Sequence, residues 1–175
     1  GEFAVTFNLL SFEASPFIKL LFNGVEMEMV DGSHYQTVQR MAQNESYELE
    51  GIGALDTWTI DPDWFELQTD GKLKALPIDG NYCITVNTDN SFISAYTCDA
   101  SGAAAKFDTA TGKGALWIVG EGLGKPKTAN APGWVPENGI CLSPVADGSY
   151  QVTAVAGLSM SASSINFKFF GQNDG

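Results

Sequence analysis

The residues that could do chemistry are few, and the carboxylates come first. "WTIDPDWFEL" (58–67) gathers Asp61, Asp63 and Glu66 into one short stretch. Glycoside hydrolysis needs two carboxyl groups about 5–9.5 Å apart, with pKa values driven apart by their surroundings. Asp-Pro-Asp is more simply a type I turn whose leading aspartate accepts backbone N–H bonds, and the turn is the favoured reading. His34 is the only histidine, which excludes His-based triads and multi-histidine zinc sites. "GEGLGK" (120–125) lacks the Lys-Ser/Thr ending and the following helix of a phosphate loop, and reads as a turn. No loop shows calcium-ligand spacing. No catalytic residue, metal or cofactor is expected.

Tryptophans on loops offer a different chemistry. In "NAPGWVPENG" (130–139), Pro132, Gly133 and Pro136 keep the backbone out of a hydrogen-bonded ladder while it carries Trp134. Sugar rings present apolar C–H faces that stack on flat indole, and their hydroxyls need donors and acceptors at the rim. Covering one face removes about 60 Å² of apolar surface, worth about 1.5 kcal/mol. Lys125, Lys127, Asn130, Glu137 and Asn138 are the candidate rim groups around Trp134. The competing reading makes Trp134 a cap folded over the core. Trp117, in the apolar alternation "LWIVG", reads as core or interface packing. Trp58 and Trp64 flank "TIDPD", where Pro62 interrupts any ladder, so Trp64 joins the candidate ligand-binding residues.

The balance of charge narrows the partners. Nine Lys and Arg against 21 Asp and Glu give a formal charge of -12. Nucleic-acid binding requires a basic footprint that this chain lacks, and anionic lipid is disfavoured for the same reason. With 44% hydrophobic residues the chain can bury a core. No stretch approaches the ~20 apolar residues of a membrane span. Cys83, Cys98 and Cys141 have no metal-like spacing. A two-residue turn at Asp89-Asn90 sets Cys83 opposite Tyr96 and leaves Cys98 diagonal, so the three read as buried thiols.

The elements that must position these residues are strands. "FAVTFNLL" (3–10) puts Phe3, Val5, Phe7 and Leu9 on one face. "FIKLLFNGVEMEMV" (17–30) is a hairpin candidate around Asn23-Gly24, the pair favouring a type I′ turn. "HYQTVQRM", "SYELEGI", "KLKALP", "YCITVNT" and "FISAYTC" continue the alternation, and "ALWIVGEG", "GICLSPV", "SYQVTAVAG" and "INFKFF" supply four more strands. The expected fold is all-β: tandem β-sandwich, immunoglobulin-like modules. An N-terminal domain spans 1–98, an Ala/Gly/Thr-rich linker 99–114 and a second module 115–175. Four strands make a poor sandwich alone. That half must either pack on the first domain or be part of a longer module, and the second is favoured.

Asp-Gly followed by Tyr and an alternating strand occurs at 31–35, 79–82 and 147–150, a hairpin device. The two later copies agree further. Gly51 to Tyr82 and Gly120 to Tyr150 each span a strand ending in glycine, a Trp- and Pro-bearing loop, an apolar strand and the Asp-Gly turn. This suggests two related modules.

Over roughly residues 45–175 the chain resembles the SusE/SusF-type surface lipoproteins of Bacteroidetes. The match rests on the ordered set Trp117, Gly120, Glu121, Gly133, Trp134, Gly148, Tyr150, Phe167, Lys168 and Phe169. The resemblance implies a non-catalytic protein on the outer-membrane surface, held by a lipid anchor absent from this chain. It also implies binding to oligo- or polysaccharide beside an outer-membrane transporter. The departure is the second module, which stops short of the family pattern. The alternative is a structural or adhesive protein making protein–protein contacts. That reading requires aromatics buried between modules and apolar surface exposed on strand edges.

Overall fold

The computed structural model describes residues 4–7, 14–17 and 19–173, with side chains from residue 19 onward. Among these residues the fold is all-β: short strands joined by turns, with only three 3-10 turns as helical structure. Strand Ala4–Phe7 pairs antiparallel with Ala14–Phe17. The shared face expected for Phe3, Val5, Phe7 and Leu9 lies outside the described residues.

A five-stranded sheet is the backbone of the first half. Its order is Glu28–Met29, His34–Met41, Gly80–Asn87, Phe92–Thr97 and Thr59–Ile60, the last pairing in parallel. The central register sets Gln36, Thr85 and Ser94 side by side, with His34, Asn87 and Phe92 in the next row and Val38, Cys83 and Tyr96 in the row beyond. Because side chains alternate across a strand, these rows share one face. The other face carries Tyr35, Tyr82, Ile84, Val86, Ile93 and Ala95, all buried. Two small sheets cover it, one built on Leu21–Phe22 and one on Leu73–Ala75. Phe22 stacks on Tyr47 at 5.6 Å and Trp64 meets Tyr82 edge-on at 5.7 Å. The result is sandwich-like.

Local signals act where they should. Asn23 and Gly24 both have positive φ (49° and 76°), as a type I′ turn requires. Cys83 lies opposite Tyr96, as the turn at Asp89-Asn90 sets it. All three cysteines are free and buried. The Asp-Gly device is less uniform than expected. Only Gly148 takes positive φ (69°), in the hairpin of Ser143–Ala146 with Ser149–Gln151. At 79–80 there is no hairpin, because strand Gly80–Asn87 pairs with strand His34–Met41 rather than with its predecessor.

The second half packs on the first. Strand Trp117–Glu121 lies between Ile140–Cys141 and Asn166–Phe170. Ala115, Trp117 and Cys141 join the main core, while Ile118, Leu123 and Leu142 form a small cluster of their own. Trp117 lies 5.9 Å from Tyr96, so the second half sits over one end of the outer face of the five-stranded sheet. Gly120 marks a tight passage of the chain. At φ 140°, it has the Asn166 carbonyl oxygen and Phe167 Cα where a side chain would stand.

Candidate functional site

The Asp-Pro-Asp segment folds as a turn. Asp61 Oδ1 accepts the Asp63 N–H at 3.2 Å, and the Asp61 carbonyl accepts the N–H groups of Trp64 and Phe65. The chain therefore doubles back and drives Trp64 inward. Trp64 is 0% exposed and is no ligand platform, which corrects the expectation; Pro62 breaks the ladder without releasing the indole. Trp58 is half-buried against the same core.

Lys125 is corrected in the same way. Its ammonium is not on a rim: it donates to Asp61 Oδ1 at 2.6 Å and to Asp63 Oδ2 at 2.5 Å, with both carboxylates buried. Asp63 also accepts from Gln151 Nε2 at 2.9 Å and from the Thr153 N–H and hydroxyl at 2.6 Å each. Ser94 donates to Asp61 Oδ2 at 2.7 Å. Burial raises the Asp63 pKa, but Lys125 and Thr153 outweigh it and hold the carboxyl below its ordinary value. This buried ion triad ties the two halves together. The Asp63 carboxyl, held down in this way, lacks the raised pKa that a general acid needs.

Trp134 stands outward on its loop. It is 44% exposed and belongs to neither core cluster, so it is not a cap. Its loop is docked by the Gly120 N–H donating to the Gly133 carbonyl at 2.5 Å, and continues into the 3-10 turn Pro136–Asn138. Lys168 Nζ stands over the indole, 5.8 Å from the ring centroid. Strand alternation explains the meeting. Lys168 pairs across from Val119, while Phe167 and Phe169 point to the other face. Sequence reasoning placed Lys168 in a family pattern but not at the site; the alternation of Phe-Lys-Phe was the available signal.

The remaining rim candidates divide. Lys127 is exposed and lines neither of the cavities described next. Glu137 and Asn138 are exposed and wall a trough of about 650 Å³ between the halves, floored by residues of the outer sheet face. Asn138 also borders an adjoining cavity of about 210 Å³, which reaches Asn130, Lys125 and Trp117. The trough holds residues that sequence reasoning missed: Gln36, Thr85, Asn87 and Phe92. The polar half of the alternation in "HYQTV" and "ITVNT" marked that face as outward, but nothing local showed that the second module would wall it.

At the trough's far end His34 is pinned on both nitrogens. Nδ1 lies 2.8 Å from Asp31 and Nε2 lies 2.8 Å from Asn87 Nδ2, while Asn87 Oδ1 accepts the Asn90 N–H at 3.0 Å. The network is complete with Nδ1–H donating to Asp31 and Nε2 accepting from Asn87. The Ser33 amide first, and His34 second, pull the Asp31 pKa down to about 2. Among the described residues no group of three or more His, Cys, Asp or Glu could hold a metal ion, and no helix is long and apolar enough to cross a membrane.

Fold and site together define a class: an all-β, sandwich-like protein whose clefts are lined by aromatic, uncharged polar and a few charged side chains. The chain belongs to the family described as Domain of unknown function (DUF5125), which matches residues 1–107. Residues 111–175 match a second description, Domain of unknown function (DUF5121). No curated protein and no solved structure matched the chain.

Proposed function

We propose that the protein binds glycans without cleaving them, displayed on the outer-membrane surface by a lipid anchor beside a polysaccharide transporter. The observation that carries the reading is Trp134, a nearly half-exposed indole on a loop docked to the sheet. Lys168 occupies the space over the ring. An exposed cation–π contact is worth about 0.5–1 kcal/mol, less than the ~1.5 kcal/mol gained by covering the ring with a sugar. A sugar therefore displaces the ammonium, which on its flexible stem turns to the rim as a hydroxyl donor. The ion-paired, buried Asp61 and Asp63 support the non-catalytic half of the reading. Surface display and the transporter rest on the SusE/SusF resemblance.

The test is retardation of the chain in native gels cast with a panel of polysaccharides, wild type beside Trp134→Ala. We expect one glycan to slow the wild type and the variant to bind it about tenfold more weakly, with thermal stability nearly unchanged. Equal retardation of both would refute Trp134 as the platform. No retardation by any glycan, with hydrolysis products absent, would refute the function.

One observation favours a second reading, an adhesive or structural module. Phe167 and Phe169 are 40% and 59% exposed on the edge strand Asn166–Phe170, and Trp117 is buried between the halves. Exposed apolar edge strands invite pairing with another chain. On this reading Phe169→Glu abolishes partner capture and leaves glycan retardation untouched.

A further inference from the structure

We infer that the trough between the two halves is a second binding site, shaped for a neutral oligosaccharide; this rests on the glycan reading above. Its floor is the outer face of the five-stranded sheet, where the register sets Phe92 beside Asn87, and Thr85 beside Gln36. One aromatic ring among uncharged amides and a hydroxyl is the lining a pyranose needs: an apolar surface for C–H groups and paired donors and acceptors for hydroxyls. The wall comes from the other half, through Asn138 and Gly139. At about 650 Å³ the trough is within the roughly 300–1,000 Å³ range of ligand clefts.

The floor is fixed before any ligand arrives. Asn87 spends its oxygen on the Asn90 amide and one N–H on His34, which leaves its second N–H to donate. The wall is fixed as well, because Lys125 clamps the halves through Asp61 and Asp63. Preformed geometry lowers the ordering cost of binding.

The trough adjoins the 210 Å³ cavity, and the two share Thr85, Phe92, Asn138 and Gly139 as lining. Bordering that inner cavity is Asn130, whose Oδ1 is buried without a hydrogen-bond partner. A buried acceptor left unpaired is costly, and a sugar hydroxyl entering the cavity is a donor of the right kind. Charge selects against acidic sugars. Asp31, held ionised, and Glu137 line the trough of a chain whose formal charge is -12. The site is composite: neither half alone supplies both floor and wall.

The experiment titrates the whole chain with neutral hexaoses (β-1,4-glucan, β-1,4-mannan, β-1,4-xylan and α-1,4-glucan) and with an oligogalacturonate, by calorimetry and by tryptophan fluorescence. Asn138→Trp fills the trough from its exposed wall, Gln36→Trp fills it from the floor, and circular dichroism verifies both folds. We expect one neutral hexaose to bind, at least about tenfold weaker in both blocking variants, and no binding of oligogalacturonate. Trp117 lines the inner cavity, so the bound state shifts fluorescence even in Trp134→Phe. A hexaose lost in Trp134→Ala but unaffected by both blocking variants overturns the trough and leaves the function standing. Loss in the blocking variants alone supports the trough and removes Trp134 as platform. Preference for oligogalacturonate overturns the neutral class. No binding by any probe at about 10 mM, where a millimolar site is mostly filled, overturns both.

Discussion

Replacing Lys125 by methionine keeps the apolar stem and removes the one charge that Asp61 and Asp63 share. Asp61 is 1% exposed and Asp63 0%, and the ammonium lies within 2.6 Å of each. Without it, two carboxylates face each other with no counter-charge and little water. Breaking a buried pair by removing one partner costs about 3–5 kcal/mol. For a chain of this size, at about 2–4 °C per kcal/mol, the melting temperature falls by about 6–20 °C. The pH dependence separates this mechanism from ordinary lost packing. In the wild type the Asp63 pKa is held below its unfolded value. Its contribution is therefore complete above about pH 4 and is lost as pH falls through the folded value. In the variant, desolvation and mutual repulsion raise one carboxyl above its unfolded value. The variant then regains stability as pH falls from about 7 to 5, by up to about 1.4 kcal/mol per unit, while the wild type stays flat. Guanidinium unfolding of both proteins across that range is the assay. A cost below about 1 kcal/mol, or parallel pH profiles, would refute a buried triad.

Two glycines with positive φ should respond differently to alanine. Gly24→Ala meets nothing within 4 Å and suffers only the strain of φ 76°, about 1 kcal/mol. Gly120→Ala drives a methyl into the Asn166 carbonyl and Phe167 and should cost at least about 2–3 kcal/mol by urea unfolding; equal costs would refute the close packing. The three thiols should resist a thiol reagent at about pH 8, because burial raises all three pKa values, Cys98 and Cys141 up to about 12. They should react only at the rate of unfolding, and a burst in native buffer would contradict their burial.

What the sequence made legible was local. Asn23-Gly24 announces its turn because only residues tolerant of positive φ fit there. The alternation in "HYQTVQRM" separates buried Tyr35 and Thr37 from outward His34 and Gln36, so strand and facing follow together. Even the Cys83–Tyr96 register follows from turn length. What stayed hidden depends on partners far away in the chain. Lys125 and Asp61 are 64 positions apart, and no spacing rule joins them. Phe92 and Asn87 read as an ordinary outward face until Glu137 and Asn138 arrive from the other half to wall it.

The two Trp-bearing loops show where such reasoning divides. "TIDPDWF" and "APGWVPENG" stand at corresponding places in two spans of similar length, yet one indole is buried and the other nearly half exposed. The difference lies in what fills the place beside the downstream tyrosine. Trp64 packs edge-on against Tyr82, whose hydroxyl donates to the Ile78 carbonyl. Tyr150 has Phe107 as its edge-on partner at 5.9 Å, from the segment that joins the halves, and its hydroxyl reaches the carbonyls of Gly112 and Gly114. Phe107 thus does for Tyr150 what Trp64 does for Tyr82, while Trp134 belongs to neither core cluster. A loop pattern fixes where the backbone turns; the side chain's direction is fixed by which aromatic elsewhere has already taken the space. The joining segment, which reads in sequence as a linker, therefore takes part in the packing that leaves Trp134 outside the core. Phe107→Ala should loosen Tyr150 and allow Trp134 to fold inward, and a blue-shifted tryptophan emission together with weaker glycan retardation would show it; unchanged emission would refute the exchange.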